Sequence, residues 1–241
     1  MDNSAPFKIT YLNTINKNLP YIFLDFDYTV SNFGEMKNEI KENCLNLGIG
    51  KNIWDKTYAD CKNRIGIYNN QQHIKKLVEL YPKITQEICD AFYDVFENGI
   101  KYKYQDVDEF LEKFNNKYNI ILFTLGDEDF QLAKRSSSMI DSYLRAAINT
   151  TSSKMESFEY ILDNSVFPNL FEIVFVDDKA EYFEKYKRIF MERVSINCKY
   201  AFVWINRPNA KYSEIFPSKD IRAEVQEVKD LRDIDYFSYI T

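Results

Sequence analysis

The sequence predicts an α/β protein, with helices on both faces of a mostly parallel sheet and an inserted helical segment. Three observations predict it. Short apolar runs alternate with amphipathic stretches along most of the 241 residues, the pattern of a parallel sheet joined by helical crossovers. Three of those runs end in acidic or hydroxyl residues. Between the first two of them lie roughly 65 residues of helical periodicity, where a simple crossover needs about a dozen.

The first run, Tyr21-Ile22-Phe23-Leu24, reads as a buried strand. It leads into Asp25-Phe26-Asp27-Tyr28-Thr29. Two ionised carboxylates this close are costly to desolvate and repel one another. A strand running into a polar turn accounts for them, because Asp is common in turns. A bound cation accounts for them as well, and hard oxygen ligands suit Mg²⁺ beside a substrate phosphate. In that case one carboxylate can act as nucleophile and the other as acid and base.

The second run, Asn119 to Phe123, leads into Thr124, Leu125, Gly126 and Asp127; the third, Glu172 to Val176, leads into Asp177-Asp178. Ligands of open α/β sheets bind outside the carboxyl ends of the strands, so these groups are expected along one edge. Lys154 lies between the last two runs. A hydroxyl and an ammonium are what a phosphate asks of side chains.

This order resembles the haloacid dehalogenase-like (HAD) superfamily across roughly Tyr21 to Ile205. Asp25-Phe26-Asp27-Tyr28-Thr29 matches its Asp-x-Asp-x-Thr element, and Thr124, Lys154 and Asp177-Asp178 match the three that follow. Tyr28 and Asp177 each stand where the family often has Gly, and no Asn or Ser separates Thr124 from the Leu125-Gly126 pair. The resemblance implies a Rossmann-like three-layer core over 1–31 and 100–241, and a helical cap over 32–99. It also implies a Mg²⁺-dependent phosphatase acting on a small phosphorylated metabolite through an aspartyl-phosphate. Asp25 would attack phosphorus, and Asp27 would protonate the leaving oxygen and then activate water. Asp25, the backbone carbonyl of Asp27, and Asp178 would hold Mg²⁺, with Asp177 assisting. Thr124, Leu125 and Lys154 would bind the phosphoryl oxygens. Carbon–halogen cleavage needs no proton delivered to an oxygen, so Asp27 favours phosphotransfer. A phosphomutase would use the same residues, and a non-catalytic phospho-ligand-binding or interaction protein is the alternative outside enzymes.

The elements follow in order. Residues 1–20, with Pro6 and Pro20, read as a polar lead-in. Met36, Ile40 and Cys44 step by four and mark a helix closed by Gly48. Ile53, Trp54, Tyr58 and Cys61 mark a second, ended near Gly66. Asn69-Asn70-Gln71-Gln72 reads as a polar connector before a third helix from His73 to Leu80, closed by Pro82. Ile84, Ile88, Phe92, Val95 and Phe96 form a fourth apolar stripe. These helices make either a mobile cap or an enlarged helical layer with no role in recognition. Val107 to Phe114 is expected to be a helix, Ala146 to Thr150 a strand, and Met155 to Leu162 a helix with Lys154 at its start. Phe183 to Phe190, Tyr200 to Ile205 and Ala223 to Val228 complete the pattern as helix, strand and strand.

Some charged and aromatic residues carry two readings each. Lys134, on the helix after Thr124, is expected on a solvated face, although it competes with Lys154 as the phosphate-binding base. Lys179 either compensates the acidic pair or faces solvent. Trp54 and Tyr58 either stack on a ligand ring or pack the helical insert. Asn206-Arg207-Pro208 reads as a plain strand exit, and Gly126 as a turn residue.

Composition narrows the function. The net charge of −6 opposes general nucleic-acid binding, which rests on phosphate neutralisation. Cys44, Cys61, Cys89 and Cys198 show neither zinc nor disulfide spacing, which fits a reducing cytoplasm. His73 is the only histidine, so a histidine triad or multi-histidine metal site is excluded; it is expected on the surface. No apolar run reaches membrane-spanning length, and Met1-Asp2-Asn3-Ser4 lacks a basic and then apolar lead, so neither membrane spanning nor secretion is expected. The chain is expected to act on a small phosphorylated substrate, away from membranes, as a monomer or homodimer.

Overall fold

The computed structural model describes residues 5–64, 66–193, 198–208, 210–213, 215–237 and 239. Seven strands form one sheet: β1 (Phe7–Tyr11), β2 (Tyr21–Leu24), β3 (Asn119–Leu125), β4 (Ala146–Thr150), β5 (Glu172–Asp177), β6 (Lys199–Ile205) and β7 (Val225–Val228). Their spatial order is β1-β4-β3-β2-β5-β6-β7. All pairs are parallel except β1 with β4. From β2 the chain moves outward through β3 and β4, then returns to place β5 on the other side of β2. The topological switch point is therefore at β2, where open α/β sheets bind ligands.

Among the described residues eight α-helices accompany the sheet: α1 (Phe33–Asn46), α2 (Lys51–Asp60), α3 (Asn70–Leu80), α4 (Thr85–Glu97), α5 (Val107–Phe114), α6 (Glu128–Ser138), α7 (Lys154–Asp163) and α8 (Glu181–Arg193). Successive strand residues face opposite sides, and both sides of this sheet are covered. Ile22, Leu24, Ile120, Leu122, Val174 and Val176 pack with Val107, Phe110, Leu111 and Phe114 of α5. Tyr21, Phe23, Ile121, Phe123 and Phe175 pack with residues of α7 and α8. The second layer is built on rings: Phe175 stacks on Tyr186 at 3.9 Å between centroids. Burial on both faces is why these strands read as continuous apolar runs instead of alternating ones.

Helices α1–α4 gather their buried residues into a separate apolar cluster that includes Met36, Ile40, Trp54, Leu77, Ile88 and Phe92. Phe130 of α6 joins it and connects this cluster to the sheet layer. The two connections between sheet and insert run side by side. Asn32 N–H donates to the Tyr102 carbonyl at 2.8 Å, and Tyr104 N–H donates to the Val30 carbonyl at 3.0 Å.

Several expectations need correction. The stretch before Pro20 contains β1, whose Phe7 and Ile9 pack against the ring-rich layer. Its short, half-exposed edge pattern hid it. Asn69 caps α3, accepting from Gln72 N–H at 2.7 Å, so the supposed connector is the helix's first turn. β7 starts at Val225 because Arg222–Glu224 form a 3₁₀ turn. His73 is fully buried, not superficial. Its ring nitrogens lie between the Thr57 and Tyr68 hydroxyls at 2.9 and 2.8 Å, and burial pushes its pKa down to about 4. It is a neutral core histidine with both nitrogens satisfied. Among the described residues no helix is long and apolar enough to cross a membrane, and the four cysteines are free.

Candidate active site

The carboxyl ends of β2, β3 and β5 open onto a cavity of about 380 Å³. Asp25, Asp27, Thr124, Leu125, Lys154 and Asp178 all line it. Asp25 follows the last residue of the central strand, where its N–H still donates to the Val176 carbonyl at 2.9 Å. Lys154 opens α7, which Ser153 caps by accepting from Met155 and Glu156 N–H. Its ammonium donates to Asp25 Oδ1 at 2.5 Å and to Asp177 Oδ2 at 2.7 Å. Burial pulls the pKa of this lysine down, but the carboxylates of Asp177 and Asp25 outweigh it and raise its pKa. Asp177 faces Lys154 and accepts from the Lys179 N–H at 2.9 Å; it does not line the cavity.

Oxygens of Asp25, Asp177 and Asp178 lie within 4.8 Å of one another, and all three residues are buried. Burial raises the Asp25 pKa to about 6, with Lys154 opposing and Asp177 adding to the shift. Asp178 is raised well above the usual carboxylate range by burial and then by Asp25 and Asp177. Its Oδ2 is buried without a hydrogen-bond partner, a state that costs free energy unless a cation or proton meets it. Three buried carboxylates with converging oxygens, one of the three residues also carrying an unpartnered oxygen, fit a hard divalent ion such as Mg²⁺. The Asp27 side chain stands outside this group.

Asp27 has its own partners. Lys134 donates to its two carboxylate oxygens at 2.6 and 2.8 Å, and Gln131 Nε2 donates to Oδ2 at 3.3 Å. The solvated face expected for Lys134 is thus incorrect: the residue is 1% exposed. Its ammonium sits 4.7 Å from the centroids of both Phe33 and Phe130. Burial lowers its pKa while Asp27 pulls the other way. The missed signal was a helical stripe, since Phe130, Gln131, Lys134, Arg135 and Ser138 form the buried face of α6. Charge in the stripe disguised it. Gly126 sits at the bend after β3, and a Cβ there would fall 2.3 Å from Gln131 Nε2.

Tyr28 adopts φ +61°, a left-handed conformation that favours glycine, which explains why glycine suits this position. Its ring lines the cavity and meets Tyr212 edge-on. Trp54 is a core residue, whereas Tyr58 lines the cavity. Lys179 also lines the cavity, half-buried. Arg207 is buried and pairs with Asp106 at 2.7 and 3.0 Å, while donating to the Thr29 carbonyl at 2.8 Å. It is a structural tie under the Asp25–Thr29 loop, not a simple strand exit.

No family model and no curated protein matches the chain. Solved structures do. A candidate haloacid dehalogenase-like hydrolase from Burkholderia xenovorans superposes with a TM-score of 0.65 at 15% identity, covering 89% of this chain and 97% of that one. A candidate β-phosphoglucomutase from Thermotoga maritima gives 0.55 at 12% identity, with 90% and 96% covered. A candidate HAD-hydrolase from Bacillus subtilis, bound to magnesium, gives 0.53 at 12% identity, again with 90% and 96% covered. Dehalogenases are among the other matches. By its strand order and these superpositions, the chain has the haloacid dehalogenase-like fold.

Proposed function

We propose that this protein is a Mg²⁺-dependent phosphatase of small phosphomonoesters. The observation that carries the reading is the convergence of Asp25, Asp27, Thr124, Lys154 and Asp178 on one cavity at the switch point of the sheet. Asp25, oriented by Lys154, attacks phosphorus and becomes an aspartyl-phosphate. Asp27, oriented by Lys134 and Gln131, protonates the departing oxygen and later takes a proton from the attacking water. The Thr124 hydroxyl, the Leu125 backbone and Lys154 hold the phosphoryl oxygens. Asp25 and Asp178 are the side chains that would hold Mg²⁺, with the Asp27 carbonyl, and Asp177 assists by fixing Lys154. The ion supplies neutralisation of the crowded carboxylates and of the phosphoryl charge. A dehalogenase has no use for a held acid–base carboxylate, so Asp27, held by Lys134 and Gln131, favours phosphoryl transfer.

In this reading, helices α1–α4 form a cap over the cavity. Tyr58, Lys62 and Tyr68 from that segment line its wall, and the paired connections at Val30–Asn32 and Tyr102–Tyr104 act as its hinge. The test is release of inorganic phosphate from 4-nitrophenyl phosphate and from alkyl phosphates, with and without Mg²⁺. Turnover that needs Mg²⁺ and disappears in Asp25→Asn supports the reading. Turnover unaffected by chelator contradicts it. Return of the phosphoryl group to the substrate without net phosphate release would indicate a mutase instead.

A further inference from the structure

The outer wall of the cavity is chemically unlike its floor. Buried Asp25 and Asp178 and part-buried Asp27 and Asp127 make the inner lining acidic, whereas half-buried Lys37 and exposed Lys62 and Lys211 line the outer part. These three come from α1, from the turn after α2, and from the loop beyond β6. None of them forms an ion pair with a carboxylate among the described residues. Of the lysines deeper in the same site, Lys134 and Lys154 are paired with carboxylates, while Lys179 lies against the rings of Tyr182 and Tyr212.

Tyrosine rings hold the outer lysines in place. The ammonium groups of Lys37 and Lys62 each lie 4.5 Å from the centroid of Tyr58. Lys211 lies 4.7 Å from the centroid of Tyr212 and donates to its hydroxyl at 2.8 Å. Cation–π contact fixes such groups without neutralising them. The lysines also feel one another. Burial and then Lys62 lower the pKa of Lys37, and burial and then Lys211 lower that of Lys62. Mutually repelling cations gathered at a cavity mouth, in a chain of net charge −6, are unfavourable until an anion joins them.

From this geometry we infer a second anion subsite: the substrate carries, besides the phosphate that is cleaved, a distal phosphate held by Lys37, Lys62 and Lys211. The inference rests on the phosphatase reading for which phosphate is cleaved. Binding of the distal group does not depend on it. A phosphate brings close to two negative charges and three acceptor oxygens, which suits three ammonium donors better than a carboxylate would. An aromatic distal group fits poorly, because the Tyr58 ring is already covered by two ammonium groups and by Tyr68 at 4.7 Å.

The test uses ligands that cannot be hydrolysed. Calorimetry compares a series of alkane-α,ω-bisphosphonates with alkyl monophosphonates and ω-carboxyalkyl phosphonates of equal length, all with Mg²⁺. At the best length the bisphosphonate should bind at least tenfold tighter than the monophosphonate, and tighter than the carboxylate. The triple variant Lys37→Gln, Lys62→Gln, Lys211→Gln should erase that advantage, and each single variant should remove part of it. A control with equal charge loss elsewhere, at exposed Lys75, Lys83 and Lys117, should keep it. Equal binding of bis- and monophosphonates overturns the subsite, as does an advantage that survives in the triple variant. Preference for the carboxylate overturns the choice of a distal phosphate. A bisphosphonate preference in a protein that releases no phosphate from any ester would leave the subsite standing and refute the phosphatase reading.

Discussion

Asp25 and Asp27 are separated by one residue, yet their surroundings divide their labour. Asp25 is buried among carboxylates and bonded to Lys154; Asp27 is part-exposed and held by Lys134 and Gln131. Asp25→Asn should abolish turnover, by at least about a thousandfold or 4 kcal/mol of barrier, because an amide cannot accept the phosphoryl group. Lys134→Met should keep the packing against Phe33 and Phe130 while freeing Asp27. We expect at least a roughly tenfold fall in kcat for alkyl phosphates, below the hundredfold or more of losing the acid–base group itself. The melting temperature should change little. A melting temperature that falls while kcat holds would make Lys134 merely structural. At this scale the acidic motif was legible because unpaired carboxylates at the end of an apolar strand require a reason. Lys134 was not, since a lysine on an amphipathic helix ordinarily faces water, and only its distant partner at Asp27 explains its burial. Tyr58 carried a ligand-facing reading that its helical stripe could not separate from core packing, and Lys211 gave no local sign of facing the same cavity.

Among elements, the Arg207–Asp106 pair joins four separate segments. Asp106 precedes α5 and also accepts from Leu231 N–H at 2.6 Å, while Arg207 follows β6 and reaches the Thr29 carbonyl. The pair is buried on both sides. Breaking such a pair by removing one partner leaves an uncompensated charge, which typically costs about 3–5 kcal/mol. Arg207→Ala should therefore lower stability by about that much in denaturant unfolding. Replacing both residues together, Arg207→Met with Asp106→Leu, should recover part of the loss. If the single variant unfolds like the wild type, the tie is not structural. The strands of the sheet core were readable because they are buried on both faces and need no alternation. β1 escaped because three of its five residues are exposed and its partner, β4, lies far along the chain. α3 was placed but started late, because Asn69 looks like a loop residue until its side chain is seen capping Gln72.

For the whole molecule, proton and metal compete for one acidic cluster. The pKa of Asp25, about 6 when folded, lies above its ordinary value of 3.8. The native protein therefore holds this proton more tightly than the unfolded chain, so metal-free stability contributed by this group falls as pH rises from about 4 to 6. Asp178, shifted in the same direction, adds to the trend. Mg²⁺ should reverse it. Saturating Mg²⁺ should raise the melting temperature by several degrees at pH 7.5, where each kcal/mol is worth about 2–4 °C in a chain of this size. The rise should shrink below about pH 6 as protons displace the ion. A Mg²⁺ effect independent of pH, or one that persists in Asp178→Ala, would place the ion elsewhere. The helical insert was visible in the sequence as excess helix between two strands. Its residues that face the cavity were not, because their neighbours there come from α6 and the loop beyond β6.

If Asp25 carries the phosphoryl group, a single-turnover experiment will trap it on that residue. Asp27→Asn, which lacks the base for the second half-reaction, is mixed with 4-nitrophenyl phosphate and Mg²⁺ in ¹⁸O-water, then quenched in acid and analysed by peptide mass spectrometry. A phosphoryl adduct is expected on the peptide containing Asp25. Slow turnover is also expected to release phosphate carrying one ¹⁸O atom, with no label in the Asp25 carboxylate. Nitrophenol release with no adduct on Asp25, or ¹⁸O appearing in that carboxylate, would contradict this role of Asp25.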